Sequence, residues 1–141
     1  MNFVPVTAEH CMTMRHLAAI HSGYDITPEI AVELENIGGT AAIDDDGHAV
    51  AIAGILPKWD GVGVAWAWLS RDWRRAAREI TAEVIRGLDA SPLRRIELAV
   101  KVEFGPGHRW AERLGFSVET PLAVGWGADG GSYTLYVRHN G

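Results

Sequence analysis

A short run of arginines follows an apolar segment in the middle of the chain, and its chemistry suits an anion. The apolar stretch ends at Trp68, Leu69 and Ser70, and arginines appear at once after it. If the stretch is a strand and the arginines open a helix, free amide groups and the positive helix end favour an anion there. Guanidinium groups add charge-assisted hydrogen bonds, for which phosphate oxygens are good acceptors. The candidate binding site is therefore the strand-to-helix junction at Trp68–Ala76.

The alternative interpretation of these arginines is a solvated helix face that binds no ligand. Asp72 lies among them and suits the helix dipole, but it repels a phosphate. Ser70 is predicted to cap the helix rather than to act as a nucleophile, because nothing near it in sequence supplies a base.

Other groups that could do acid–base or metal chemistry are few. Glu97, Glu103 and His108 are candidate bases if they face the site, and a surface or capping role is the alternative for each. The histidines lack the i, i+4 spacing that puts two ligands on one helix face, so we predict no metal site. The stretch Asp44–Gly47 lacks the ligand spacing of a calcium loop and predicts a hairpin turn.

Bulk properties describe an ordinary globular chain of 141 residues, which we treat as a single domain over 1–141. The formal charge of −5 gives no reason to expect nucleic acid as a partner. No apolar run approaches the roughly 20 residues of a membrane span, and no signal peptide is recognisable. The single cysteine, Cys11, cannot form an internal disulfide. We therefore expect a cytoplasmic protein with no membrane partner.

Hydrophobic spacing predicts a mixture of strands and helices. In the first half, Thr7 caps a helix that runs to about Ile20, and Thr27-Pro28-Glu29 opens a second helix that ends at Gly38-Gly39. The predicted strands of the chain are Phe3–Val6, Thr40–Ile43, Ala49–Ile55, Val62–Leu69, 95–102, Phe116–Leu122 and Tyr133–Arg138. Trp59 and Trp126 are placed in a loop and a glycine-rich turn, where they are candidates for a contact surface.

In the second half, the best helix of the chain carries Trp73, Ile80, Val84 and Leu88 on one face. It separates the strands 62–69 and 95–102, which should be parallel neighbours. A last short helix opens at Gly105-Pro106-Gly107. The fold class is therefore α/β (α+β), with a mixed, mostly antiparallel sheet of about six or seven strands, a central parallel pair and about four helices.

This order of elements is similar to that of the Gcn5-related N-acetyltransferase (GNAT) family. Two segments carry the resemblance. Trp110-Ala111-Glu112-Arg113-Leu114-Gly115-Phe116 looks like the family's closing helix and its leucine-glycine-phenylalanine ending. Arg71-Asp72-Trp73-Arg74-Arg75-Ala76 lies where the family has its pyrophosphate loop, Gln/Arg-x-x-Gly-x-Gly/Ala.

The resemblance implies a coenzyme A site in a notch between the strands 62–69 and 95–102, with acetyl-CoA as the cosubstrate. The cofactor-binding residues that it implies are Trp68, Leu69, Ser70, Arg71, Arg74, Arg75 and Ala76. The chain departs from the family's pattern at two positions. Arg74 stands at the middle glycine of the pyrophosphate loop, where a side chain hinders close approach of a phosphate to the backbone. Ala111 stands where many members have the tyrosine that protonates the leaving thiolate, and alanine cannot donate a proton.

A narrower resemblance is to a divergent GNAT-like group of tailed phages whose members are described as internal virion or head proteins. Leu69-Ser70, the glycine-free helix start and His108-Arg109-Trp110 carry it. Two functions of different class follow as expectations. One is an acyl-CoA-dependent N-acetyltransferase acting on a small amine or a peptide terminus. The other is a non-catalytic phage or prophage protein that serves as a virion component or binds other proteins.

Overall fold

The computed structural model of the chain describes residues 1–20 and 25–141. In chain order its elements are β1 (Asn2–Pro5), α1 (Ala8–Leu17), β2 (Ala18–Ile20), α2 (Pro28–Ile37), β3 (Thr40–Ile43), β4 (Ala49–Trp59), β5 (Val62–Ser70), a 3₁₀ helix (Arg71–Ala76), α3 (Ala77–Ala90), β6 (Arg95–Lys101), α4 (Gly105–Arg113), β7 (Ser117–Ala123) and β8 (Tyr133–His139). The strands form one mixed sheet in the order β1-β3-β4-β5-β6-β8-β7, and β2 pairs with β5 outside that path.

The parallel pair predicted from the sequence is confirmed, and its strands diverge, as the notch implied by the family resemblance requires. Strands β5 and β6 are parallel, and their paired residues are Val62 with Arg95, Gly63 with Ile96, and Val64 with Glu97. Beyond Val64, β5 continues to pair with β4, while β6 continues to pair with β8 as far as Lys101. The two strands therefore separate towards their carboxyl ends and leave a notch between them.

Local signals explain where several elements begin and end. The Thr27 hydroxyl accepts a hydrogen bond of 3.2 Å from the backbone N–H of Ile30, and Pro28 occupies the first turn of α2. Gly38 ends α2 with a φ of 102°, which a residue with a side chain adopts only with strain. These boundaries agree with the sequence prediction because each depends on neighbours in the chain.

Helices pack on both faces of the sheet, and each face has its own core. On the first face, α1 and α2 cover Trp66 and Trp68 of β5. Gly54 lies directly under the indole of Trp66, since a Cβ at this position would come within 2.7 Å of Cζ2 of that ring. On the second face, α3 and α4 cover an apolar surface that includes Leu69, Ile96 and Val100.

Three features differ from the sequence prediction. Helix α1 ends at Leu17, and Ala18–Ile20 form a short strand instead of the last helical turn, because they pair with the open edge of β5. The sheet formed by the described residues therefore has eight strands. Strand β4 extends to Trp59, which pairs with Val62 next to a bulge, so this tryptophan is at a strand end and not in a loop.

The start of the central helix is also different. The residues Arg71–Ala76 form a 3₁₀ helix, and the α-helix begins only at Ala77. Ala76 has a φ of −118° and a ψ of 17°, and these angles interrupt the α-helical path between the two segments. No helix among the described residues is long and apolar enough to cross a membrane.

The Cys11 thiol should be unreactive in the folded protein. Burial, with a contribution from the negative charge of Glu35, raises the pKa of this thiol from 9.0 to about 11, and the residue is fully buried. The thiolate is the reactive species, so its population at mildly alkaline pH falls about a hundredfold. We expect iodoacetamide to label Cys11 slowly in the native state and quickly in denaturant, as measured by mass spectrometry. Equal rates in the two states would contradict this assignment.

Candidate functional site

The notch begins where the parallel strands lose contact. Ala65 and Leu98 are the first residues beyond the last parallel pair, Val64 and Glu97. At the far end, β2 pairs with β5 through Ala18 with Ser70 and through Ile20 with Leu69. Because β4 occupies the other edge of β5, β2 lies on the edge that faces the notch. It therefore narrows the end of the notch that the family resemblance assigns to the cofactor.

The three predicted arginines lie together at the end of β5. Arg71, Arg74 and Arg75 are all exposed within the 3₁₀ helix, and Arg78 is exposed in the first turn of α3. Across residues 1–20 and 25–141, no ion pair involves any of them. The protein has a net charge of −5, so this is a local basic patch with unpaired charge. It can accept an anion without first breaking an internal ion pair.

The other predicted binding residues lie against the sheet. Trp68, Leu69, Ser70 and Ala76 are buried. The Ser70 hydroxyl accepts a hydrogen bond of 3.3 Å from the Asp72 amide, so its predicted role as a cap is confirmed for the 3₁₀ helix. This bond engages one of the amides that a phosphate would otherwise use. The structure thus brings the seven predicted residues together, with the arginines outermost.

Two tryptophans close the space between the 3₁₀ helix and α4. The rings of Trp73 and Trp110 are in edge contact, with centroids 5.5 Å apart. The indole N–H of Trp110 donates a 3.0 Å hydrogen bond to the hydroxyl of Thr81 on α3. The link between Trp110 and Thr81 joins residues about thirty positions apart, so no local signal in the sequence indicates it.

The carboxylates considered as bases are poorly suited to that role. Glu97 accepts hydrogen bonds from Lys58 and Arg95, both at 2.8 Å. Burial opposes ionisation of Glu97, but these two partners outweigh it and lower the pKa of the carboxyl below its ordinary value. A carboxylate held ionised by two cations is a weak proton acceptor. Glu103 is exposed beyond the end of β6.

His108 lies in a hydrogen-bonded network that holds α4 against the sheet. Its Nε2 is 2.9 Å from the carbonyl oxygen of Lys101 and 3.0 Å from that of Val102, while its Nδ1 is 2.6 Å from the Tyr136 hydroxyl. Carbonyl oxygens only accept, so Nε2–H donates to them and Nδ1 accepts from the tyrosine. Burial, together with the charge of Glu112, raises the pKa of Tyr136. Both ring nitrogens of His108 therefore take part in hydrogen bonds within the fold.

Ala111, at the position of the family's tyrosine, is fully buried. It packs in the core cluster that includes Val100 and Leu114. A tyrosine side chain at this position would displace that packing, so replacing Ala111 cannot simply restore a proton donor. Among the described residues, none of those considered from the sequence is placed to protonate a leaving thiolate.

The aspartate turn contains a group of possible metal ligands. One ligand atom each of Asp44, Asp46 and His48 lies within 4.8 Å of the others. The carboxylate of Asp44 also accepts from the backbone amides of Asp46 and His48, at 3.0 and 2.9 Å. These bonds are those of the predicted turn, and they account for the proximity of the three side chains.

Comparisons with known proteins identify the fold. No family model matches the sequence, and no curated protein matches it. Solved structures do match. A GNAT superfamily phosphinothricin acetyltransferase from Sinorhizobium meliloti, in complex with AcCoA, has a TM-score of 0.76 and 14% identity, covering 98% of this chain and 87% of the other.

Two further structures agree over nearly their whole lengths. A ribosomal-protein-alanine N-acetyltransferase from Escherichia coli has a TM-score of 0.75 and 13% identity, covering 98% of this chain and 92% of the other. A variant of the spermidine N-acetyltransferase from Vibrio cholerae has a TM-score of 0.71 and 11% identity, covering 99% and 95%. Together with the diverging parallel strands, these matches show that the chain has the GNAT fold, the fold of the Gcn5-related N-acetyltransferases.

Proposed function

We propose that the protein binds acetyl-CoA in the notch between β5 and β6 and transfers its acyl group to an amine. The acceptor is a small amine or a peptide terminus. The observation that carries the proposal is the basic patch of Arg71, Arg74 and Arg75 at the mouth of a notch formed by diverging parallel strands. The three solved structures compared above support the proposal, since they are structures of acetyltransferases and one of them contains AcCoA.

In this proposal the arginines replace backbone contacts of the usual loop. Arg74 prevents close approach of a phosphate to the backbone, but its guanidinium can bind the pyrophosphate directly, with help from Arg71 and Arg75. The pantetheine arm would lie in the notch and reach its base at Ala65. Strand β2 pairs with Leu69 and Ser70 on the notch edge of β5, so it occupies the backbone of these two residues.

The reaction is a transfer between a thioester and an amine. The neutral amine nitrogen attacks the thioester carbonyl, a C–N bond forms, and the C–S bond breaks. The nitrogen loses a proton to solvent, and the departing thiolate of coenzyme A takes one up. Holding the two reactants together lowers the barrier without any acid or base.

We expect this transfer to be slow with generic amines. A positioned general acid typically raises the rate of such a reaction about 10²–10⁴-fold, and the family's usual acid is replaced here by the buried Ala111. Calorimetry with acetyl-CoA measures binding, and a thiol-release assay over a panel of amines measures turnover. Detectable binding with weak turnover is the expected result. Rapid turnover with a simple amine would contradict the expectation of slow transfer, and no binding at millimolar acetyl-CoA would overturn the proposal.

A second candidate is a non-catalytic protein that retains the fold and binds other proteins. The contact between Trp73 and Trp110 favours it, because these rings fill space beside the notch. Absence of acetyl-CoA binding by a folded protein is the result that would select this candidate. The resemblance to the phage group stays a prediction.

A further inference from the structure

An apolar cavity of about 290 Å³ lies between the sheet and α3, on the second face of the sheet. Its walls come from β3, β4, β5 and β6, from the inner side of α3, from Trp110 of α4 and from Leu114, which directly follows α4. Glu83 is the one charged residue among the described residues that line it, and this carboxylate is paired with Arg86. The cavity is thus suited to a hydrocarbon group.

Small residues on the sheet create this space. Five alanines of the sheet line the cavity where larger aliphatic side chains would ordinarily fill the layer beneath a helix: Ala42, Ala51, Ala53, Ala65 and Ala67. On the helix side, Gly87 also lines it, and a Cβ at that position would meet no atom within 4 Å. Protein interiors are normally close-packed, so an apolar space of this size beneath a helix is unusual.

The cavity reaches the base of the notch. Ala65 and Leu98, which line it, are the residues directly after the last parallel pair of β5 and β6. A thioester bound along the notch would therefore place its acyl group next to the cavity. The lining also includes the carboxylate of Glu83, which disfavours a free fatty acid as the occupant because like charges repel.

We propose that the cavity binds the hydrocarbon chain of the acyl donor, so that the preferred donor is a linear medium-chain acyl-CoA rather than acetyl-CoA. This rests on the proposed coenzyme A site. A cavity of about 150 Å³ accommodates benzene, so the space here suits a chain of about eight carbons. The neutral thioester stays in the notch, and the chain enters the cavity between Ala65 and Leu98.

Calorimetry with a series of acyl-CoA thioesters, from acetyl to dodecanoyl, tests this on the whole chain. Affinity should rise with chain length, reach a maximum near octanoyl-CoA on the order of tenfold or more above acetyl-CoA, and then fall.

Ala53→Leu fills the cavity from β4 and should abolish the preference while leaving affinity for acetyl-CoA unchanged. Ala82→Leu makes the same change on the exposed side of α3 and should preserve the preference.

The outcomes separate this inference from the proposed function. Equal affinity for acetyl-CoA and octanoyl-CoA would overturn the inference and leave the coenzyme A site intact. A gain that continues without limit to dodecanoyl-CoA would show non-specific adsorption and would also overturn it. Binding of none of the thioesters would overturn both proposals. If Ala53→Leu fails to fold, the chain-length maximum of the unmodified protein still decides the question.

Discussion

Reversing the charge of Arg71, Arg74 and Arg75 together, as Arg→Glu, should lower the affinity for acetyl-CoA about a hundredfold. The three guanidinium groups are exposed and lie at the mouth of the notch. Each contact with a pyrophosphate at such a site contributes about 1 kcal/mol after solvent screening, and about 3 kcal/mol in total corresponds to roughly two orders of magnitude in Kd. Calorimetric titration of both proteins with acetyl-CoA measures the change.

A matched variant separates a local contact from the effect of net charge. Arg113→Glu changes an exposed arginine at the carboxyl end of α4, away from the notch. It should leave the affinity within about a factor of two, which is the scale of a distant, screened charge. The difference between the variants should shrink at high salt. Unchanged affinity in the triple variant would remove these arginines from the binding site.

The second large effect concerns Trp110, whose removal should destabilise the fold. Trp110→Ala should cost about 3 kcal/mol in the free energy of unfolding, the lower part of the range for truncating a large aromatic side chain. The ring packs against Trp73, lines the cavity beneath α3 and donates to Thr81. Urea denaturation followed by circular dichroism measures the change. Trp126→Ala, an exposed tryptophan in the loop before β8, should change stability by less than about 0.5 kcal/mol.

A double-mutant cycle isolates the hydrogen bond within that contact. Trp110→Phe keeps an aromatic ring but removes the indole donor, and Thr81→Val removes the acceptor while conserving shape. Their coupling free energy should be about 1 kcal/mol, the ordinary net value of a hydrogen bond. A coupling near zero would show that this hydrogen bond contributes nothing to stability. Equal stability of Trp110→Ala and the unmodified protein would show that Trp110 does not hold α4 against α3.

Much of the fold can be predicted from the sequence, because the signals that set its elements are local. The Thr27 and Ser70 caps and the turn at Asp44–Gly47 each involve residues within a few positions of one another. Alternation of apolar residues identified the strands, and the helix between β5 and β6 required them to run parallel. These features follow from backbone geometry that neighbouring residues impose.

The candidate site was predicted in part for the same reason. The arginines that follow β5 are contiguous in sequence, so their exposure and proximity could be foreseen. Strand β2 could not be foreseen, because Ala18–Ile20 shows no alternation of apolar and polar residues. This segment forms a strand only because it pairs with the edge that β5 exposes after leaving β6. The engagement of His108 with Tyr136 likewise depends on β8 lying next to β6.

Sequence alone determined the order of elements, the parallel pair and the basic patch at the end of β5, since each arises from short-range patterns. The divergence of the pair was expected only from the resemblance to the GNAT family. Only the tertiary structure decided how open the notch is and what lies behind it. The alanines of β4 and β5 are unremarkable as strand residues, and they enclose a cavity only because Gly87 and the inner side of α3 are placed over them. Space between packed elements depends on the sum of side-chain volumes across the layer, and no single segment of the chain contains that information.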